Sequence, residues 1–242
     1  MLTKKDIFVT ILFAVFLLMA LGAVGSRGRR LARFVVCQGN LKLQQDAQIQ
    51  FWQDNSGQMT HYSSSTMWWE PIRGYLGDYA DRVRLCPEAD DVVDDWSWGG
   101  IYRSWAWPVS FPESSCGSYG FNGWLYEDVY VGNIDLAKLF KHLSAVSEPE
   151  VTPVFIDAMW VDSWPMNEYG LPPDDWTDQW EPSYLPPDYP ETAIQRFLMN
   201  RHDLRDNVSF VDGHVEPVHF TDLWTLYWHL GSEPNYDVVV PW

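Results

Sequence analysis

IFVTILFAVFLLMALGAVGS, residues Ile7–Ser26, runs for twenty residues without a charge between Lys4-Lys5-Asp6 and the arginines Arg27, Arg29, Arg30 and Arg33. At about 1.5 Å per residue a helix of this length covers about 30 Å, the thickness of a bilayer's hydrocarbon core. A backbone in lipid must satisfy its own hydrogen bonds, so the stretch is predicted helical. Three fates fit it. Lys4 and Lys5 with the small residues Ala23-Val24-Gly25 suit a cleaved signal peptide, although the apolar run exceeds the roughly 7–15 residues such peptides use. The second fate is a plain membrane anchor. The third is a helix that leaves lipid for the core of a fibre.

The helical pattern continues past the arginines. Leu31, Phe34, Val35, Cys37, Leu41, Ile49 and Trp52 fall on one side at helical spacing, and Arg29, Arg33, Asn40, Gln44 and Gln50 on the other. No proline occurs before Pro71, and Asn55-Ser56-Gly57 is the first breaker. One helix over residues 4–54 is therefore expected, apolar all round in its first half and amphipathic in its second. The remainder, 55–242, is read as one acidic globular head.

Charge divides sharply along the 242 residues. Residues 1–42 carry seven Lys/Arg against one acid, Asp6, whereas the other 200 carry nine basic and thirty-two acidic residues. That balance excludes a nucleic-acid surface, which needs basic patches. It leaves many carboxylates for a hard cation: Asp90, Asp91, Asp94 and Asp95 are the candidate calcium ligands, without the EF-hand spacing or glycine and with a solvated loop as the alternative. Fifteen tryptophans are more than a core of this size is expected to hold, so some should lie at the surface or at subunit contacts. Three cysteines are too few for a disulfide scaffold. Cys86 and Cys116 could pair outside the cytoplasm, and Cys37 reads as a small buried apolar residue on the long helix.

In the head, Trp68–Tyr79 promises a short helix after Pro71 and then a turn, and Trp96–Trp107 alternates aromatic with small residues like a strand. Asp135–Ser144 reads as a helix and Thr152–Trp160 as a buried strand. Residues 161–192, with seven Pro and eight acids, form a long irregular loop. Asn207-Val208-Ser209-Phe210-Val211-Asp212-Gly213-His214-Val215 is a hairpin with an Asp-Gly turn, Val208 and Phe210 facing one side. Thr221–Leu230 reads as a short helix ended by Gly231. The formal sequon Asn207-Val208-Ser209 opens a strand and is discounted. Trp176 and Trp180, four apart, could form a sugar-stacking platform or anchor a subunit contact.

No Gly-x-Ser-x-Gly elbow, Cys-x-x-Cys pair, His-Glu-x-x-His helix or phosphate-cradling loop occurs, and an enzyme is not expected. His202 and Asp212 could form an acid–base pair or tie the loop before the strand to the turn.

A basic start, a long apolar helix, an amphipathic continuation and a mixed head together resemble type IV pilin-like and type II secretion pseudopilin-like proteins. Cys37-Gln38-Gly39-Asn40-Leu41-Lys42 is similar to the Cys-x-x-Asn-Leu-Lys helix segment of planctomycete prepilin-like proteins. His202, nine residues and Asp212-Gly213 match that family's His-x9-Asp-Gly motif. Leu85-Cys86-Pro87 and Ser118-Tyr119-Gly120-Phe121-Asn122 are similar to two further segments. The resemblance implies an α+β, pilin-like fold, with a long N-terminal helix packed on an antiparallel sheet and long irregular loops. It implies a structural subunit of an extracellular or periplasmic bacterial filament, held in the inner membrane before assembly. Its partners would be copies of itself and the secretion or pilus assembly machinery. Asp6, Ile7, Phe8, Phe13, Phe16, Leu17 and Leu21 would lie on the assembly helix. The prepilin pattern Gly-Phe-Thr-x-x-Glu is replaced by Lys4-Lys5-Asp6-Ile7-Phe8, so processing is left open. The alternative function is a membrane-anchored extracellular carbohydrate-binding or carbohydrate-active protein, with glycans as partners. No cofactor is expected beyond calcium.

Overall fold

The computed structural model describes residues 4–62, 67–89, 92, 97–107, 115–130, 132, 134–168 and 194–238. Helix α1 spans Lys4–Asp54 as one element, the bounds expected from the pattern. It ends where expected: Ser56 and Gly57 take positive φ, the Gly57 N–H donates to the Trp52 carbonyl at 2.6 Å, and the Asn55 side chain donates to Phe51 O at 2.8 Å. A β-carbon at Gly57 would lie 2.8 Å from the His142 ring, so close approach as well as backbone sign requires glycine there.

Helix α2 is Trp69–Leu76. Strands β1 (Trp105–Trp107) and β2 (Ser115–Gly117) form an antiparallel pair. Strands β3 (Tyr119–Asn122), β4 (Pro153–Asp157), β5 (Asp162–Ser163), β6 (Arg205–Phe210) and β7 (Val215–His219) form a five-stranded sheet in the order β5-β3-β4-β6-β7. All its neighbours are antiparallel except β3 and β5. The β6–β7 hairpin is the Asp-Gly turn expected: Gly213 has φ +99°, the Gly213 N–H donates to Phe210 O, and Asp212 accepts the His214 N–H. The chain is thus α+β, with a long N-terminal helix packed on a mostly antiparallel sheet. Two expected helices are tighter than α: residues 136–138 and 143–145 are separate 3₁₀ turns, broken where Lys141 takes φ +59°, and Phe220–Thr225 is a 3₁₀ helix.

Helix α1 crosses β6, β4 and β7. Its C-terminal half shares one core with the head, contributing Cys37, Leu41, Ala47 and Trp52. The stripe that docks differs from the apolar one. Gln44, Gln45 and Gln48 are fully buried, while Leu31 and Val35 are exposed. The glutamines meet polar groups of the head: Gln44 donates to Val83 O at 2.8 Å, Gln48 to Thr60 Oγ1 at 3.3 Å, and Ser209 Oγ on β6 donates to Gln45 Oε1 at 3.2 Å.

The core takes most of the described tryptophans. Trp52, Trp68, Trp105, Trp124, Trp164, Trp224 and Trp228 are fully buried, and no described tryptophan is exposed. Four of these indole N–H groups find backbone carbonyls, Trp68 on Val161, Trp105 on Tyr119, Trp124 on Pro165 and Trp228 on Leu223, whereas those of Trp52 and Trp164 are buried without a hydrogen-bond partner. Phe197 and Trp228 stack at 5.5 Å, and Trp68 packs 4.8 Å from Phe155.

Candidate functional site

Two features stand apart from ordinary packing: the free half of α1, and a buried polar cluster where α1 meets the sheet. Along the free half, Phe8, Phe13 and Phe16 are 67%, 61% and 61% exposed, with Val9, Ile11, Leu12, Val15 and Met19 also open. The side chains of the other expected assembly residues, Asp6, Ile7, Leu17 and Leu21, lie outside the described residues, as do those of Ala14, Leu18, Ala20 and Gly22–Val24. Among the described residues no helix is long and apolar enough to cross a membrane. The first ties to the head come with Arg30, 3.3 Å from Asp203, and Arg33, 3.1 Å from Glu88. A cleft of about 380 Å³ opens there, lined by Arg27, Arg30, Phe34, Arg201, His202 and Arg205 among others.

The cluster sits at the base of that cleft. Cys37 comes from α1, Cys86 from the loop after α2, Asp157 from the end of β4 and His202 from the turn before β6, and all four are buried. Cys86 Sγ lies 3.4 Å from His202 Nε2, which lies 3.4 Å from Asp157 Oδ2. Cys37 Sγ is 3.7 Å from that same oxygen. One metal-binding atom from each residue falls within 4.8 Å of the others. Around them, the Tyr119 hydroxyl donates to Cys37 Sγ at 3.2 Å and the Asn207 N–H to Asp157 Oδ2 at 3.1 Å. The Phe34 ring meets the imidazole edge-on at 5.3 Å.

Arg201 is fully buried beside Asp157, 3.1 Å away. Its other contacts are the carbonyls of Ile101, Ser118, Gly100 and Ala158, so every part of the guanidinium is used.

The electrostatics follow from burial among unlike groups. Burial, a hydrogen bond to Cys86 and the Asp157 charge push the Cys37 thiol well up. Burial also pushes Cys86 up, but hydrogen bonds from Cys37 and His202 and the Arg201 charge overcome it, bringing Cys86 down to about 6. For His202 burial works downward, and the Asp157 carboxylate with the Cys86 contact reverses it to a raised value. Burial and then Asp157 hold the Asp206 carboxyl well above the usual carboxylate range.

The expected sites fare differently. His202 and Asp212 do not meet: His202 turns to Cys86 and Asp157, whereas Asp212 caps its own turn and receives His214 Nδ1 at 2.6 Å. The six residues of β6, about 20 Å of strand, stand between them. Gly213 supplies the positive φ of the hairpin turn. Cys86 and Cys116 are free thiols and not a disulfide. Cys116 stands on β2 opposite Ala106, while Cys86 turns toward Cys37 and His202. Cys37 is buried as expected, but in a polar cluster and not as an apolar filler. Asn207 is fully buried in β6, which agrees with discounting its sequon. Asp90, Asp91, Asp94, Asp95, Trp176 and Trp180 lie outside the described residues.

Asp157 and Arg201 were not singled out from sequence. The available signal was Asp157 itself, the one charged residue in the otherwise apolar run Thr152–Trp160.

No family model, curated protein or solved structure matches the chain.

Proposed function

We propose that the chain is a pilin-like structural subunit, joined to copies of itself through the free half of α1, with the acidic head outside the inner membrane. The observation that carries this reading is the exposed apolar arm continuing, as one helix, from a half that is docked on the sheet. Eight large apolar side chains from Phe8 to Met19 stand open. Covering that many is worth on the order of 10 kcal/mol, comparable with the whole stability of a domain. The arm therefore needs lipid or protein around it.

Docking fixes the arm's direction relative to the head, which is what a repeated contact between copies requires. Bilayer lipid covers the arm first, and the arms of neighbouring copies replace it on assembly. A contact of this kind is head-to-tail and does not close on itself, so it extends into a fibre. The role is mechanical and uses no reacting group.

Negative-stain microscopy of the purified full chain after detergent removal tests the reading. Filaments with a regular subunit repeat are expected. Monodisperse single subunits would refute it.

A further inference from the structure

We propose that Cys37, Cys86, Asp157 and His202 bind one zinc ion, which pins α1 to the head. The inference stands apart from the filament reading, since a monomeric protein would hold the ion equally well.

The distances are the first ground. Zinc with bonds of about 2.3 Å to sulfur and about 2.0–2.1 Å to nitrogen and oxygen has tetrahedron edges of about 3.3–3.8 Å, shortest between nitrogen and oxygen and longest between the two sulfurs. The edges here are 3.4 Å for Cys86 Sγ to His202 Nε2, 3.4 Å for His202 Nε2 to Asp157 Oδ2, and 3.7 Å for Cys37 Sγ to Asp157 Oδ2. The remaining pairs close within 4.8 Å.

The second ground is direction. Cysteine, histidine and aspartate also compose a hydrolytic triad, but there the carboxylate must hold the imidazole nitrogen that does not face the nucleophile. Here Cys86 and Asp157 both approach the same atom, His202 Nε2. That arrangement cannot relay a proton from thiol to carboxylate through the ring. It brings four ligand atoms within 4.8 Å of one another. All four residues are buried, which suits a closed structural site with four protein ligands.

Charge is the third ground. Two thiolates and one carboxylate are balanced by the ion's two charges and the buried Arg201 guanidinium, so ligands, ion and Arg201 together are neutral. On binding, the thiol protons leave to water. The outer contacts are those that orient metal ligands: Arg201 holds Asp157 Oδ1, Asn207 N–H holds Asp157 Oδ2, and the Tyr119 hydroxyl donates to Cys37 Sγ. Two sulfurs and an imidazole select zinc over calcium or magnesium.

The ligands come from four separate segments, one of them the long helix. Three belong to the short motifs read from sequence, around Cys37, Cys86 and His202. An ion among them fastens those motifs to one another and to β4.

The test uses the full chain in detergent. Purified without chelator and dialysed, it is expected to carry about one zinc per chain by elemental analysis. Zinc-edge absorption should show two sulfur and two nitrogen or oxygen neighbours, and replacement by cobalt should give the thiolate charge-transfer band of a tetrahedral site. Cys116→Ser is expected to leave zinc content unchanged. Cys37→Ser or His202→Ala should lower it at least tenfold, and the absorption measurement on the unaltered chain decides if those variants do not fold. Absence of zinc both as purified and after zinc is added to the reduced chain would overturn the proposal. So would a zinc shell without sulfur, or a Cys37–Cys86 disulfide in the protein from cells.

Discussion

Replacing Arg201 by methionine should destabilise the head more than any surface change. The side chain is fully buried with Asp157, and its guanidinium reaches the carbonyls of Gly100, Ile101, Ser118 and Ala158. Methionine keeps much of the volume but leaves a buried carboxylate without its cation and four carbonyls without a donor. Breaking a buried pair from one side costs about 3–5 kcal/mol, and the orphaned carbonyls place the expected loss toward the upper end. For a chain of this length that corresponds to a fall in Tm of about 6–20 °C. Arg201→Lys keeps the charge but not the fork, so its loss should be smaller. Urea unfolding followed by tryptophan fluorescence measures both, because the buried indoles report the core. An Arg201→Met chain within about 1 kcal/mol of the parent would refute the view that this network holds the head together.

Three further outcomes are expected. A chain beginning at Gly25 loses the exposed apolar arm but no described tie to the head, so its head should unfold within about 1 kcal/mol of the parent, while the chain becomes soluble without detergent. Gly123→Ala places a methyl 2.4 Å from the buried Trp164 ring, and denaturant unfolding should show a loss of about 1–3 kcal/mol. Burial lowers the His229 pKa against an ordinary value of 6.5. Because the folded value is the lower one, its contribution is present above about pH 6.5 and is lost as pH falls through the folded pKa. Melting curves between pH 7.5 and pH 5 should therefore show a smaller acid loss in His229→Gln than in the parent, and equal losses would count against the shift.

How much was legible from sequence depends on which interactions carry a local pattern. The bounds of α1 were legible because apolar and amphipathic helical periodicity runs without a proline up to Asn55-Ser56-Gly57, and the β6–β7 hairpin because Asp-Gly needs no context. The docking face of α1 was not, since periodicity counts apolar residues and three of the seven buried residues of this stripe are glutamines meeting polar groups of the head. Leu31 and Val35 looked like part of that face, yet they are exposed while their neighbours Arg30, Arg33 and Phe34 meet the head. The burial of the described tryptophans was not legible for a related reason: the carbonyls that receive the indole N–H groups of Trp68, Trp105, Trp124 and Trp228 are not marked by any local pattern. In the polar cluster, Cys37, Cys86 and His202 each drew notice for its motif. Nothing local shows that three motifs 49 and 116 residues apart converge on Asp157.

The most direct measurement on the central claim is photocrosslinking in cells from position 16, where Phe16 is replaced by a photoreactive phenylalanine analogue. The side chain is open on the free half of α1 and far from any tie to the head. A light-dependent ladder of multimers of this chain, weakened when the open residues Phe8 and Phe13 are replaced by serine, is the expected result. Adducts to lipid alone, or to unrelated proteins with no multimer of the chain itself, would contradict it.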